Sequence, residues 1–168
     1  SSLGLFMHLD VSGKRVYAYT GTKAFIPGQR SVVFIHGAAN DHSVWALQSR
    51  YFAYHGFNVL ALDLPGHGRS AGPALSTIEE LAAWVIRVLD TVEAPKATLV
   101  GHSMGSLVAL EAAAQHPGRV EKLALIGTAF PMKVSDELLG TARAQDHAAL
   151  EMINVWSHSA AGQTGGNR

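Results

Sequence analysis

The residues best suited to chemistry lie in one five-residue stretch, Gly101-His102-Ser103-Met104-Gly105. An apolar run with Ala97, Leu99 and Val100 precedes it, and an alanine-rich segment over 104–116 follows. That order predicts a buried strand turning at once into a helix with serine at the corner, the G-x-S-x-G nucleophile elbow. The glycines answer a demand for space. Residues two before and two after such a serine face neighbouring backbone, where a Cβ would clash. Ser103 then lifts its hydroxyl above the strand end, beside the N–H groups that a helix N-terminus leaves unpaired. A hydroxyl so placed suits nucleophilic attack, with donors ready for the oxygen that becomes negative.

The elements that must position this corner can be read in order. Residues 5–11 and 15–20 predict two strands, with Ser12-Gly13-Lys14 as a tight hairpin between them. Gly21, Pro27 and Gly28 mark 21–31 as a surface loop. Ser31-Val32-Val33-Phe34-Ile35-His36-Gly37 is a β-branched and aromatic run of the kind that both faces of a parallel sheet bury. A helix is expected at 43–54 and a second buried strand at 57–62. That strand must stop at Asp63-Leu64-Pro65-Gly66-His67-Gly68-Arg69-Ser70, where proline and two glycines forbid continuation. The helix expected at 77–92 carries Ile78, Leu81, Val85, Val88 and Leu89 on one stripe, with Ser76 or Thr77 as its cap. After the elbow helix, Pro117-Gly118 is a stop and Val120 to Ile126 a further strand. Beyond Pro131 the segment 134–156 is helical in character, and 162–168 is polar.

A hairpin followed by strand–helix alternation predicts an α/β fold with a mostly parallel sheet and helices on both faces. Ligands of such sheets bind outside the carboxyl ends of the strands. His36-Gly37, the Asp63 loop and Ser103 all fall on that rim. Composition sets the outer bounds. The chain has 168 residues, 13 Lys and Arg against 13 Asp and Glu, and no cysteine, so neither a basic nucleic-acid surface nor thiolate chemistry is implied. The nine histidines fall in no metal-ligand spacing, so no metal or cofactor is expected. Neither a secretory leader nor an apolar span is visible, which makes a soluble, cytoplasmic protein with no membrane partner the expectation.

His36-Gly37 after one buried strand, the Asp63–Ser70 loop after the next and the Ser103 elbow after a third resemble the α/β-hydrolase superfamily. The group most similar is the capped one of esterases, lactonases, carbon–carbon hydrolases and cofactor-free peroxidases. The resemblance covers about 5–130 and implies that 1–130 is the N-terminal part of the core and 131–168 the start of a helical cap. It implies Ser103 as nucleophile, with the backbone N–H groups of Met104 and Ala38 as the oxyanion hole. Gly37, Trp45, Phe130 and Trp156 are the expected pocket residues, and the partner is a small acyl substrate. Serine at the elbow disfavours the dehalogenases and epoxide hydrolases, which place aspartate there. Ser106 stands where many relatives have a third glycine, a departure expected to be minor. The other implied activities are cofactor-free perhydrolysis and carbon–carbon cleavage, and a non-catalytic binding domain is the alternative from a different class.

Serine also needs a general base oriented by an acid, in the chain order Ser, acid, His. After Ser103 the acids on offer are Asp136 and Asp146, and the bases His116, His147 and His158. His116 ends the elbow helix, about 18 Å from Ser103 at the helical rise. The remaining candidates lie in the cap-like segment, and Thr128 and Ala129, which follow the last strand, cannot serve as the acid. His102 is expected to point into the core and His36 to pack beneath the turn that follows it. The expectation is therefore a fold truncated after its sixth strand, completed by a C-terminal part or a second chain. Ending there would leave a bare parallel edge and uncovered apolar faces.

Overall fold

The computed structural model describes residues 6–126 and the backbone of a strand at 151–155. Strands β1 (Phe6–Val11) and β2 (Lys14–Tyr19) form an antiparallel hairpin. Ser12 and Gly13, both at positive φ (53° and 81°), make its two-residue turn. The sheet continues through β3 (Ser31–Ile35), β4 (Asn58–Leu62), β5 (Ala97–His102), β6 (Val120–Ile126) and β7 (Glu151–Val155). Their spatial order is β1-β2-β4-β3-β5-β6-β7, antiparallel as far as β4 and parallel from there on.

Every residue of β3 and of β4 is buried, as the unbroken apolar runs require. Side-chain alternation splits the core into two layers. Val33, Ile35, Leu60, Leu62 and Leu99 face helices α2 (Ile78–Thr91) and α3 (Met104–Gln115). Val32, Phe34, Val59, Ala61 and Val100 face the other way, where α1 (Ala46–Tyr54) lies with the 3-10 turn His42–Trp45 that precedes it. The Thr77 hydroxyl caps α2 by accepting from the Glu80 N–H at 3.0 Å, and the Glu80 carboxylate reaches back to the Ser76 N–H at 3.1 Å, one residue before the cap. No helix among the described residues is long and apolar enough to cross a membrane.

One element differs from the sequence reading. Glu151–Val155, expected within a helix at 134–156, is a strand paired with β6 from Lys122↔Glu151 to Ile126↔Val155. The outer edge of β6, expected to be bare, is therefore hydrogen-bonded. Five residues with two β-branched members carry no periodicity that separates strand from helix, and an open ladder of N–H and C=O groups decides for strand. The remaining expectations for 127–150 and 156–168, Phe130 and Trp156 included, lie outside the described residues.

Candidate active site

At the end of β5 the backbone turns through a single residue. Ser103 adopts φ 59° and ψ −124°, outside the regions open to most L-residues, and is the N-cap of α3. The surrounding structure enforces this conformation. A Cβ on Gly101 would come within 3.0 Å of the Gly105 carbonyl and the Ser106 backbone, and one on Gly105 would come as close to the carbonyls of Ile35 and His36. So β5, α3 and the end of β3 meet with room for hydrogen atoms only. Ser106 is fully buried, and its hydroxyl donates to the Ser103 carbonyl at 2.5 Å beside its own N–H at 2.9 Å. In the place of a third glycine it therefore adds a tie to the turn. Ser103 stays half-buried and its side chain makes no capping bond to α3. Among the described residues no hydrogen bond engages its hydroxyl.

The exit of β3 lies alongside. Gly37 is buried, and a Cβ there would stand 3.1 Å from Ser103 Cβ, 3.4 Å from the His102 carbonyl oxygen and 3.5 Å from Asn40 Nδ2. The chain then makes a turn closed by the Asn40 N–H donating to the Gly37 carbonyl at 3.3 Å, with Ala38 exposed and Ala39 at φ 62°. His36 underlies this turn, as expected. It is fully buried; its Nδ1–H donates to the Gly37 carbonyl at 2.6 Å, and its Nε2 accepts from the Leu64 N–H at 3.0 Å. Both ring nitrogens are satisfied only in the neutral form, and burial pushes the His36 pKa down accordingly.

The far end of the turn is pinned by Asp63, whose side chain is fully buried. Its Oδ1 accepts from the His42 N–H at 2.8 Å and from His42 Nδ1 at 2.9 Å, and its Oδ2 accepts from the Arg69 N–H at 2.8 Å. Gly68, at φ 52°, lies so close to this carboxylate that a Cβ would overlap it. Ser70 locks the same loop by donating to the Asp63 carbonyl at 2.6 Å while accepting from the Tyr17 N–H at 2.9 Å. The Asp63–Ser70 stretch is thus a clamp. It ties β2 to β4 and holds the turn after β3 at both ends, through Leu64 on His36 and through Asp63 on His42. Sequence alone put this loop on the rim, but nothing in it told a clamp from a reactive group.

Asp41, His42 and Asp63 bring ligand-type atoms within 4.8 Å of one another. Both carboxylate oxygens of Asp63 are committed within the fold. Asp41 Oδ1 takes the Ser43 N–H at 2.8 Å and the Ser43 hydroxyl at 2.5 Å, bonds that hold its pKa below the usual carboxylate value. The other histidine rings are similarly engaged, His55 with the Tyr51 carbonyl and His67 with that of Pro65. The His102 ring is half-buried and edge-on to Trp45 at 6.5 Å, and His116 caps the far end of α3.

Of the expected site residues, Ser103, Met104, Gly37 and Ala38 come together at the β3 and β5 exits. Trp45 does not line an open pocket. It is 5 % exposed, its ring packs 5.0 Å from Phe34, and it belongs to the core layer under α1. A large ring in the turn before a helix is buried by the sheet beneath it, whatever lies on the rim. Asn40, which sequence reasoning did not single out, is the side chain the structure adds to this group.

The family model for the alpha/beta hydrolase fold matches residues 30–160. The chain belongs to this family. Among curated relatives it is 40% identical over 124 residues to the dihydrolipoyllysine-residue acetyltransferase component of the acetoin cleaving system of Cupriavidus necator, covering 72% of this chain and 31% of that one. It is 35% identical over 113 residues to the pimeloyl-[acyl-carrier protein] methyl ester esterase of Klebsiella pneumoniae, covering 67% of this chain and 42% of the relative. Among solved structures, the enol-lactonase of Burkholderia xenovorans LB400 superposes with a TM-score of 0.64 at 30% identity, over 71% of this chain and 46% of that one. The chain thus spans 31% to 46% of the length of these three relatives.

Proposed function

We propose that the complete protein is a serine hydrolase that cleaves a small ester, lactone or related acyl substrate through an acyl-enzyme at Ser103. The observation that carries the reading is the φ 59° corner, which sets a half-buried serine at the head of α3 without using its hydroxyl as a cap. Steric enforcement from Gly101 and Gly105 keeps this strained geometry at no further cost to reactivity. The Ser103 oxygen attacks the acyl carbon, and a carbon–oxygen bond forms as the carbonyl π pair moves onto oxygen. The hydroxyl proton passes to a base, which returns it to the departing alkoxide as the tetrahedral adduct collapses. Water then repeats the sequence on the acyl-enzyme. The developing oxyanion is held by the N–H of Met104, first in α3, and that of Ala38, in the turn after Gly37. Removing one such donor costs about 10²–10³ in rate. In this reading the acid and base come from polypeptide outside the described residues. Relatives named as an esterase and an enol-lactonase support an ester or lactone as substrate.

A fluorophosphonate probe applied to the full-length natural protein is expected to label Ser103, and Ser103→Ala to abolish both labelling and ester turnover. Labelling or turnover that survives this substitution overturns the assignment, and ligand stabilisation without turnover or labelling would identify a binding domain instead.

A further inference from the structure

Resting on the reading of Ser103 as nucleophile, we propose that the Asn40 side-chain amide is a third hydrogen-bond donor to the acyl oxygen of the substrate. Residue 37 has no side chain to hold Asn40 away from Ser103. The point a Gly37 Cβ would occupy lies 3.1 Å from Ser103 Cβ and 3.5 Å from Asn40 Nδ2, so the amide and the serine both lie close against Gly37. Asn40 is exposed, yet its side chain folds back over Gly37 rather than out into solvent. Among the described residues that amide has no hydrogen-bond partner; only its backbone N–H is used, on the Gly37 carbonyl.

An unpartnered donor helps catalysis only if it is held in place beforehand. Asn40 is so held on both sides. Before it, His36 fixes the Gly37 carbonyl from below. After it, Asp41 is tied to Ser43 and His42 to the buried Asp63. Side-chain motion is then confined to two torsions over a fixed backbone that keeps the amide beside Gly37 and Ser103. Ala38 and Met104 offer backbone donors that any residue type would supply. Asn40 adds a donor that depends on its identity, which makes it separable by mutation.

Because the amide makes no hydrogen bond to another described residue, substitution isolates its action on the substrate. In the full-length protein, kcat and KM for p-nitrophenyl acetate and the rate of inactivation by a fluorophosphonate would be measured alongside Tm. Asn40→Ala is expected to lower kcat and the inactivation rate roughly 10-fold, less than the loss of a backbone oxyanion donor because the Asn40 side chain is exposed, with KM and Tm unchanged. Asn40→Asp keeps the shape and replaces a donor with a negative charge, so it should be slower than Asn40→Ala. If Ser103 is labelled in all variants at rates within two-fold of wild type, or if Asn40→Asp is as fast as wild type, the proposal falls while the nucleophile stands. Labelling that persists in Ser103→Ala removes the reading beneath it as well.

Discussion

Removing the Asp63 carboxylate tests the clamp most directly. Asp63→Ala deletes the acceptor of three bonds, from the His42 N–H, His42 Nδ1 and the Arg69 N–H, all between 2.8 and 2.9 Å. A hydrogen bond to a charged group contributes about 1.5–3 kcal/mol, which sets an upper bound of roughly 5–9 kcal/mol for the three. Part of this is recovered, because the His42 side chain is 20% exposed and water can reach the orphaned donors on that side. A net loss of about 3–5 kcal/mol remains, in the range for breaking a buried polar pair by removing one partner. Asp63→Asn keeps one acceptor oxygen and should lose about half as much. Guanidinium unfolding followed by tryptophan fluorescence reads the change, since Trp45 and Trp84 are both buried in the core. The surface counterpart is Asp10→Ala, which removes one exposed bond to the Gly13 N–H at 2.8 Å and should cost under about 1 kcal/mol. Should Asp63→Ala prove no worse than Asp10→Ala, the loop is not a clamp and the account of how the turn after β3 is held fails.

Two further outcomes follow from the same geometry. Gly101→Ala and Gly105→Ala each force a Cβ against main-chain carbonyls and should lower stability by about 3 kcal/mol or more, whereas Gly118→Ala, with nothing within 4 Å and no positive φ, should be neutral or slightly stabilising in the same unfolding assay. His36 gives a pH dependence of known sign. Burial lowers its folded-state pKa, so below the ordinary value of about 6.5 the unfolded chain binds the extra proton. Stability is therefore fully present above about pH 6.5 and declines as pH falls to the folded value, by at most about 1.4 kcal/mol per pH unit for one proton. Unfolding titrations at several pH values should show this slope in wild type and lose it in His36→Gln; an unchanged slope would refute a neutral, buried ring.

The legible parts of this molecule are those whose cause is local. Gly101 and Gly105 announce a sharp corner around Ser103 because a Cβ at either would meet main chain, and the unbroken runs at β3 and β4 announce a sheet covered on both faces. The same holds for the Ser12-Gly13 hairpin and the Thr77 cap. What was hidden depends on partners far along the chain. The bond from Asp63 to His42 spans 21 residues, and an aspartate before a Pro-Gly loop looks alike whether it anchors or reacts. Trp45 was equally ambiguous until Phe34 and His102 were found around its ring. Glu151–Val155 became a strand because β6 offered a ladder, a reason lying in the neighbour rather than in the segment. The place of Asn40 beside Gly37 has the same kind of cause, since it shows only when the two residues are seen in space.

The crossed ties between the exits of β3 and β4 bear on how this scaffold could be re-engineered. Each loop contributes the partner that the other cannot do without: His36 needs the Leu64 amide, and the Asp63 carboxylate needs His42. Swapping in a foreign sequence for 36–42 alone would leave the buried Asp63 carboxylate without the His42 ring, and one for 63–70 alone would leave His42 without its acceptor. Specificity transplants at this rim should therefore move the two segments together, as one cassette.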